Sequence, residues 1–308
     1  MNDPLNISHD IGCALNRGDP LVALESSVIA HGLPHGVNVE TALAMEDEIR
    51  STGAVPATIG VIGGILRVGL TRDEIERLGA GEAAKLAARD LPYASLRGLD
   101  GGTTVSATAR IAHAAGIPVM ATGGIGGVHR GFAETLDVSA DLVELARTPV
   151  IVVCSGAKAV LDIRATAEWL ETHGVGVVGY GTDELPSFYS AASGISIPRI
   201  DGPEDAARLA TLWGGTFGIR CALVVAVPPP QSAEADVSEQ IDAAANDAAA
   251  NGVRGSELTP WLLARVAELT DGSSVRTNAA LLKNNARAAA EIAKSLSRDT
   301  QRRMGFVV

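Results

Sequence analysis

The sequence predicts an α/β fold of three layers, α/β/α, with a mainly parallel central sheet, formed by residues 1–308 as a single domain. Two observations predict it. Apolar runs of strand length recur along the chain, each closed by a glycine-bearing turn and followed by a helical pattern, which is βαβ alternation. The composition agrees, since 46% of residues are hydrophobic but only 3% aromatic, a profile suited to parallel strands and closely packed helices.

Taken in order, the first strand run is "PLVALESS", followed by the amphipathic helix "VNVETALAMEDEIRSTG", which stops at Gly53. "PATIGVIGG" is the second strand, and "TTVSATARIAHAAG" a helix stopping at Gly116. The strands "IPVMATGG" and "TPVIVVCSG" come next, then the helix "KAVLDIRATAEWLETHG", with Lys158 in its first turn and Gly174 at its end. Glycine just past the last helical turn is the usual stop. "VGVVGYG" and "CALVVAVPP" are the last strand runs. "VPPPQSAEADVSEQIDAAANDAAANGVRG" reads as a helical excursion within the same domain, because prolines close the strand before it and no composition shift marks a linker. Apolar spacing in "RTNAALLKNNARAAAEIAKSLSR" gives a final helix packed back on the core.

A formal charge of −11 with no Lys/Arg cluster excludes a general nucleic-acid binder. Cys13, Cys154 and Cys221 are odd in number, distant and without a CxxC pair, which fits a reducing cytoplasm rather than a disulfide or zinc framework. The first residues lack a signal-peptide pattern, and no apolar run is long enough to span a membrane. The expectation is a soluble cytoplasmic protein.

In an open parallel sheet, ligands bind beyond the carboxyl ends of the strands, so polar residues just after apolar runs are candidates. Glu25 in "VALESSVIAHGLPHG", Thr122 to His129 in "ATGGIGGVHRG" and Lys158 in "CSGAK" all stand there. Each alone reads equally as a hydrogen-bonded loop residue; their recurrence at one edge is the signal. "DGGTTVSATARIAHAAG" puts glycines and threonines at a helix start, which makes either a tight turn or a phosphate site. It lacks the Walker ending, and "GGIGGVHRG" lacks the third glycine of a dinucleotide fingerprint. Asp137 and Asp141, four apart after Glu134, would share one helical face, where they cap the helix or hold a hard cation such as manganese or magnesium.

Lysine is scarce: only Lys85, Lys158, Lys283 and Lys294 occur. A lysine at a strand end can act as a nucleophile when neutral, and burial together with a nearby cation, a metal or Lys85, favours that form. The bland reading is a lysine snorkelling from a helix start.

The motifs "ALESSVIAHGLPHGVN", "ATIGVIGG", "KLAARDLP", "GGTTVSAT", "ATGGIGGVHRG", "DVSADL", "CSGAKAVLDI", "GTDELPSFYS" and "TNAALLKNN" run nearly end to end. In that order the chain resembles the pseudouridine-5'-phosphate glycosidase family, also described as indigoidine synthase A-like. The resemblance implies a homotrimeric enzyme that uses a divalent metal, typically manganese, to split pseudouridine 5'-phosphate reversibly into uracil and ribose 5-phosphate. It makes Glu25 the proton donor, Lys158 the covalent nucleophile and Asp137 the metal ligand, in part through water. Lys85, Val105, Ser139, Ala140 and Asp141 would contact substrate, Thr122 and His129 the phosphate, and Asn278 the base. After Lys85 the chain reads Leu-Ala-Ala-Arg, less polar than the family pattern at that loop. Two other readings share the pocket: a non-catalytic sensor of phosphorylated sugars, and an indigoidine-branch enzyme acting on a related phosphorylated C-nucleoside.

Overall fold

A computed structural model describes residues 4–305 of the chain. Its strands are β1 (Leu5–Ile7), β2 (Leu21–Leu24), β3 (Val55–Ile62), β4 (Ile65–Val68), β5 (Ala84–Leu86), β6 (Gly101–Thr103), β7 (Val119–Ala121), β8 (Val128–His129), β9 (Ile151–Cys154), β10 (Leu161–Asp162), β11 (Gly176–Tyr180), β12 (Arg199–Ile200) and β13 (Leu223–Ala226).

The apolar runs of the sequence form the centre of one sheet, in the order β3-β2-β7-β9-β13-β11, every neighbouring pair parallel. Every residue of β2, β9 and β13 is buried, as strands covered on both faces require. The far half of β3 turns away from β2 and pairs antiparallel with β4 and β6, to which β1 and β5 add. At the opposite edge β12 joins β11.

Helices flank this sheet. In one layer Val37–Ser51 and Pro203–Ala210 pack on the long helix Ser273–Gly305, which crosses β2, β7 and β9. In the other, Val105–Ala114 lies on the sheet and packs with Ala140–Leu145. Gly53, Gly116 and Gly174 adopt the left-handed conformation at φ 83, 80 and 73° just past their helices. The excursion after β13 folds into Ser238–Ala250 and Leu258–Leu269, which pack on each other, the second also meeting the long helix.

Two expectations are corrected. Lys158 is not in the first turn of a helix: the helix begins at Ile163, where the Asp162 carboxylate caps it by accepting from the Ala165 N–H at 2.9 Å. Lys158 lies in the connection between β9 and β10. Asp137 and Asp141 do not share a helical face either, because the helix starts at Ala140 with Ser139 as its cap, leaving Asp137 outside.

Candidate active site

Strands β2, β7 and β9 are adjacent, and Glu25, Thr122 and the segment Ser155 to Lys158 leave their carboxyl ends. This is where a parallel sheet exposes free backbone ends and gathers ligands. Two cavities open there. A cleft is lined by Glu25, Lys85, Thr122, Lys158 and Asn278, with Val28, Phe188, Leu263 and Leu282 as apolar walls. A more polar cavity carries His129, Asp137, Ser139, Ala140 and Asp141. Ser27, Lys85, Lys158 and Thr259 line both.

The expected residues therefore gather at one place, with one exception. The Val105 side chain is buried in the core and lines neither cavity, because the helix it opens turns that position towards the sheet. Thr122 does not stand beside His129: they line different cavities, and the Thr122 hydroxyl hydrogen-bonds Glu25.

Glu25 is 3% exposed. One carboxyl oxygen meets the Thr122 hydroxyl and the other the Ser27 hydroxyl. Two hydroxyls on two oxygens fix the plane of the carboxyl group, and either hydroxyl can donate to a carboxylate or accept from a carboxylic acid. The carboxyl group is thus held in place whichever protonation state it has.

The glycines after β7 serve close packing. A Cβ on Gly124 would come within 2.6 Å of the Phe188 ring, and one on Gly126 or Gly127 would collide with Ser139 or Thr166. Their absence lets Asp141 approach: its carboxylate accepts from the N–H groups of Gly126 at 2.8 Å and Ser106 at 2.9 Å. The start of helix Val105–Ala114, read from sequence as a possible phosphate site, is thereby engaged by the protein's own anion. The loop after β9 is tied to the same seam, with the Lys158 N–H donating to the Ile125 carbonyl at 3.0 Å. Gly156 stands at φ 80°, where a Cβ would run into the Pro186 carbonyl.

Burial first, and the like charge of Lys158 second, hold the Lys85 ammonium below the usual lysine range, while Asp141, Glu25 and Asp137 pull the other way. His129 is pushed below the ordinary histidine value, chiefly by burial, and its Nε2 lies 3.5 Å from the Thr259 hydroxyl. A neutral imidazole there can donate one N–H to a ligand anion.

Ser27, His31, Phe188 and Thr259 line the cavities without having been singled out from sequence. Ser27 and His31 sit in the same quoted run as Glu25, whereas Thr259 lies in an ordinary helix start and offered no signal. Asn285 closes the quoted run "TNAALLKNN" but was not singled out. Fully buried on the long helix, it donates to the Thr122 carbonyl at 2.9 Å and the Ser155 hydroxyl at 3.1 Å, bolting that helix to the ends of β7 and β9. Asn285→Ala leaves those acceptors buried and unpaired, so urea unfolding should show a loss of about 2–3 kcal/mol.

Comparison with known proteins places this geometry. The model of the indigoidine synthase A like protein family matches residues 10–295. A pseudouridine-5'-phosphate glycosidase of Herpetosiphon aurantiacus is 51% identical over 95% of this chain and 98% of its own. One from Caldanaerobacter subterraneus subsp. tengcongensis is 46% identical over 97% and 98%. Among solved structures, the prealnumycin C-glycosynthase AlnA in complex with ribulose 5-phosphate superimposes with TM-score 0.89 at 38% identity, covering 98% of this chain and all of that one. An indigoidine synthase A-like protein of Thermotoga maritima does so with TM-score 0.89 at 33% identity, over 97% and 99%.

Proposed function

Because the chain belongs to the indigoidine synthase A-like family, we propose that it is a pseudouridine-5'-phosphate glycosidase, cleaving its substrate reversibly to uracil and ribose 5-phosphate. The observation that carries this reading is the meeting of Glu25 and Lys158 in one cleft from the ends of β2 and β9, on either side of β7, beside a polar cavity able to take a sugar phosphate. The ribulose 5-phosphate bound by AlnA supports a phosphosugar as ligand.

The bond to be broken joins carbon to carbon, so protonating a leaving oxygen, as ordinary glycosidases do, does not suffice. The neutral amine of Lys158 adds to C1' while the C1'–O4' bond breaks and Glu25 gives a proton to O4', opening the ribose ring. The nitrogen, now an ammonium, gives a proton back to the Glu25 carboxylate; its freed lone pair forms C1'=N as the C1'–C5 bond breaks, and C5 of the uracil keeps the electron pair of that bond and takes a proton from Glu25. Water adds to the imine and releases ribose 5-phosphate, restoring the amine. In the polar cavity Lys85, Ser139 and the His129 N–H supply donors for the phosphosugar, positioning energy remote from the reacting bond.

The polar cavity also suits a divalent cation. Both oxygens of Asp141 are occupied by backbone N–H groups, and among the described residues no cluster of three His, Cys, Asp or Glu side chains could hold a metal. A single carboxylate, Asp137, with water completing the shell fits a hard oxygen-seeking ion such as manganese. Bound there, the ion would supply positive charge that organises water and the substrate's oxygens. Chelation is expected to lower turnover, and Asp137→Asn to raise at least tenfold the manganese concentration needed to restore it, as read by activity titration. A cytoplasmic homotrimer completes the proposal. The exposed Phe132 and Leu136 support a subunit contact, and light scattering should find three times the 31.5 kDa chain mass.

The test is direct: chromatography of the products from pseudouridine 5'-phosphate should show uracil and ribose 5-phosphate. The unphosphorylated nucleoside should react at least about 100-fold more slowly in kcat/KM. Comparable rates on both compounds would refute the phosphate-positioning argument. Tight ribose 5-phosphate binding with no turnover would favour a sensor.

A further inference from the structure

Asn285 lines neither cavity and enters none of the chemical steps above, yet its buried amide is tied to the ends of two strands. Besides the Thr122 carbonyl and the Ser155 hydroxyl, its side-chain nitrogen meets the Gly123 carbonyl at 3.3 Å, and its oxygen faces the Ser155 hydroxyl at 3.3 Å. Packing of the helix does not require a polar group there, since Leu281, Leu282, Ala286 and Ala289 around it are buried in the core. Pairing the sheet end would account for the bonds alone. What gives them a catalytic consequence is the residue at the other end. Thr122 is the first residue beyond β7, the strand between β2 and β9. Its carbonyl is held by Asn285 and its hydroxyl holds one oxygen of Glu25. The rotamer open to a side chain depends on its own backbone angles, so a carbonyl fixed in direction also fixes where that hydroxyl stands. The turn that carries the nucleophile has further bonds of its own: Ser155 N–H donates to the Gly123 carbonyl at 2.8 Å, Phe188 N–H to Ser155 at 2.9 Å and Ile125 N–H to Gly156 at 3.0 Å.

Resting on the substrate reading above, we propose that Asn285 is a positioning residue for the acid: through Thr122 it sets the direction in which the Glu25 carboxyl group meets the ribose ring oxygen. The line runs from the long helix to the Thr122 carbonyl, through that residue to its hydroxyl, and on to Glu25. Cutting it leaves the Ser27 hydroxyl on the other carboxyl oxygen, so the acid stays in the cleft but loses one of its two fixed points. A shift of about 1 Å in a catalytic group can cost about 10²-fold in rate. Lys158 keeps the bonds of its own turn, so the loss falls on proton transfer rather than on the nucleophile.

The experiment compares kcat and KM on pseudouridine 5'-phosphate for wild type, Asn285→Ala, Thr122→Val and the double variant, each assayed well below its own thermal unfolding midpoint. Borohydride trapping of ribose 5-phosphate on Lys158 is measured in parallel. Asn285→Ala should lower kcat about 10- to 50-fold and change KM less than about threefold. In the Thr122→Val background the same substitution should cost less than about threefold, because the link it breaks is already cut. Trapping of ribose 5-phosphate, whose open-chain aldehyde needs no proton at a ring oxygen, should change less than about threefold in all four proteins. Ser155→Ala removes the other hydroxyl partner of Asn285 but leaves the Thr122 bond, and should keep kcat within about threefold of wild type. Asn285→Ser, whose hydroxyl ends one bond short of the asparagine nitrogen, replaces the alanine variant throughout if that one does not fold. An equal loss in both backgrounds, an unchanged kcat in the folded Asn285 variant, Ser155→Ala as slow as that variant, or trapping lost in step with turnover would each overturn the assignment and leave the glycosidase reading standing. Wild type that traps ribose 5-phosphate but does not cleave pseudouridine 5'-phosphate would remove the substrate reading and this assignment with it.

Discussion

Lys158→Ala should lower kcat by about 10⁴-fold or more and abolish the adduct that borohydride traps from ribose 5-phosphate, as read by intact-protein mass spectrometry. The loss is large because the amine is the reacting atom, and no neighbouring group can replace a bond to C1'. Ribose 5-phosphate should still bind, since the donors of the polar cavity remain. Lys158→Arg separates two explanations of such a loss. Arginine keeps the positive charge and most of the length but stays protonated, so it cannot add to carbon. If Lys158 only held the phosphate, arginine would restore much of the activity; as a nucleophile, Lys158→Arg should be as inactive as Lys158→Ala. Substantial turnover by either variant would end the covalent mechanism.

The second large effect is expected at Glu25. Glu25→Gln keeps the shape of the side chain and can still hydrogen-bond Ser27 and Thr122, but cannot give up a proton to the ring oxygen. General-acid contributions are typically about 10²–10⁴-fold, and kcat should fall by that factor with little change in KM. Steady-state kinetics on pseudouridine 5'-phosphate checks it, with a thermal unfolding curve to show that the buried substitution is tolerated. A variant that lost affinity but kept its kcat would make Glu25 a binding group instead. The hydroxyl pair offers a graded comparison: Thr122→Val should cost less than Glu25→Gln, because it loosens the carboxyl group without removing it.

Much of this was legible in the sequence. The apolar runs became the parallel centre of the sheet because strands buried on both faces must be apolar throughout, and a glycine after each helix marked its end. The strands that escaped notice, β1, β4, β5, β6, β8, β10 and β12, have two to four residues each; at that length pairing is decided by what lies alongside and leaves little periodicity to read. The start of the helix after Lys158 was misread for a related reason. Apolar spacing runs on through "KAVLDI", but the chain is held at Ile125 and Gly156, and Asp162 caps the helix later. Spacing alone likewise put Asp137 and Asp141 on one face. Glu25 and Lys158 were found because strand ends gather ligands, whereas Thr259 reaches His129, and Asn285 the ends of β7 and β9, only through tertiary packing. Val105 shows the converse: a motif can mark a place in the fold while its own side chain faces the core.

The long helix Ser273–Gly305 supplies Asn278 to the cleft and Asn285 to the ends of β7 and β9, and it is synthesised after every strand it touches. On the ribosome, a chain that has not yet produced the long helix holds Glu25, Lys85 and Lys158 but lacks the part of the cleft wall made by Asn278 and Leu282 and the Asn285 partner of the Thr122 carbonyl. In the proposed mechanism the Lys158 amine would therefore not be aimed while the polypeptide is being made, and biosynthetic order would keep it from productive contact with sugar phosphates until the fold that controls it is in place.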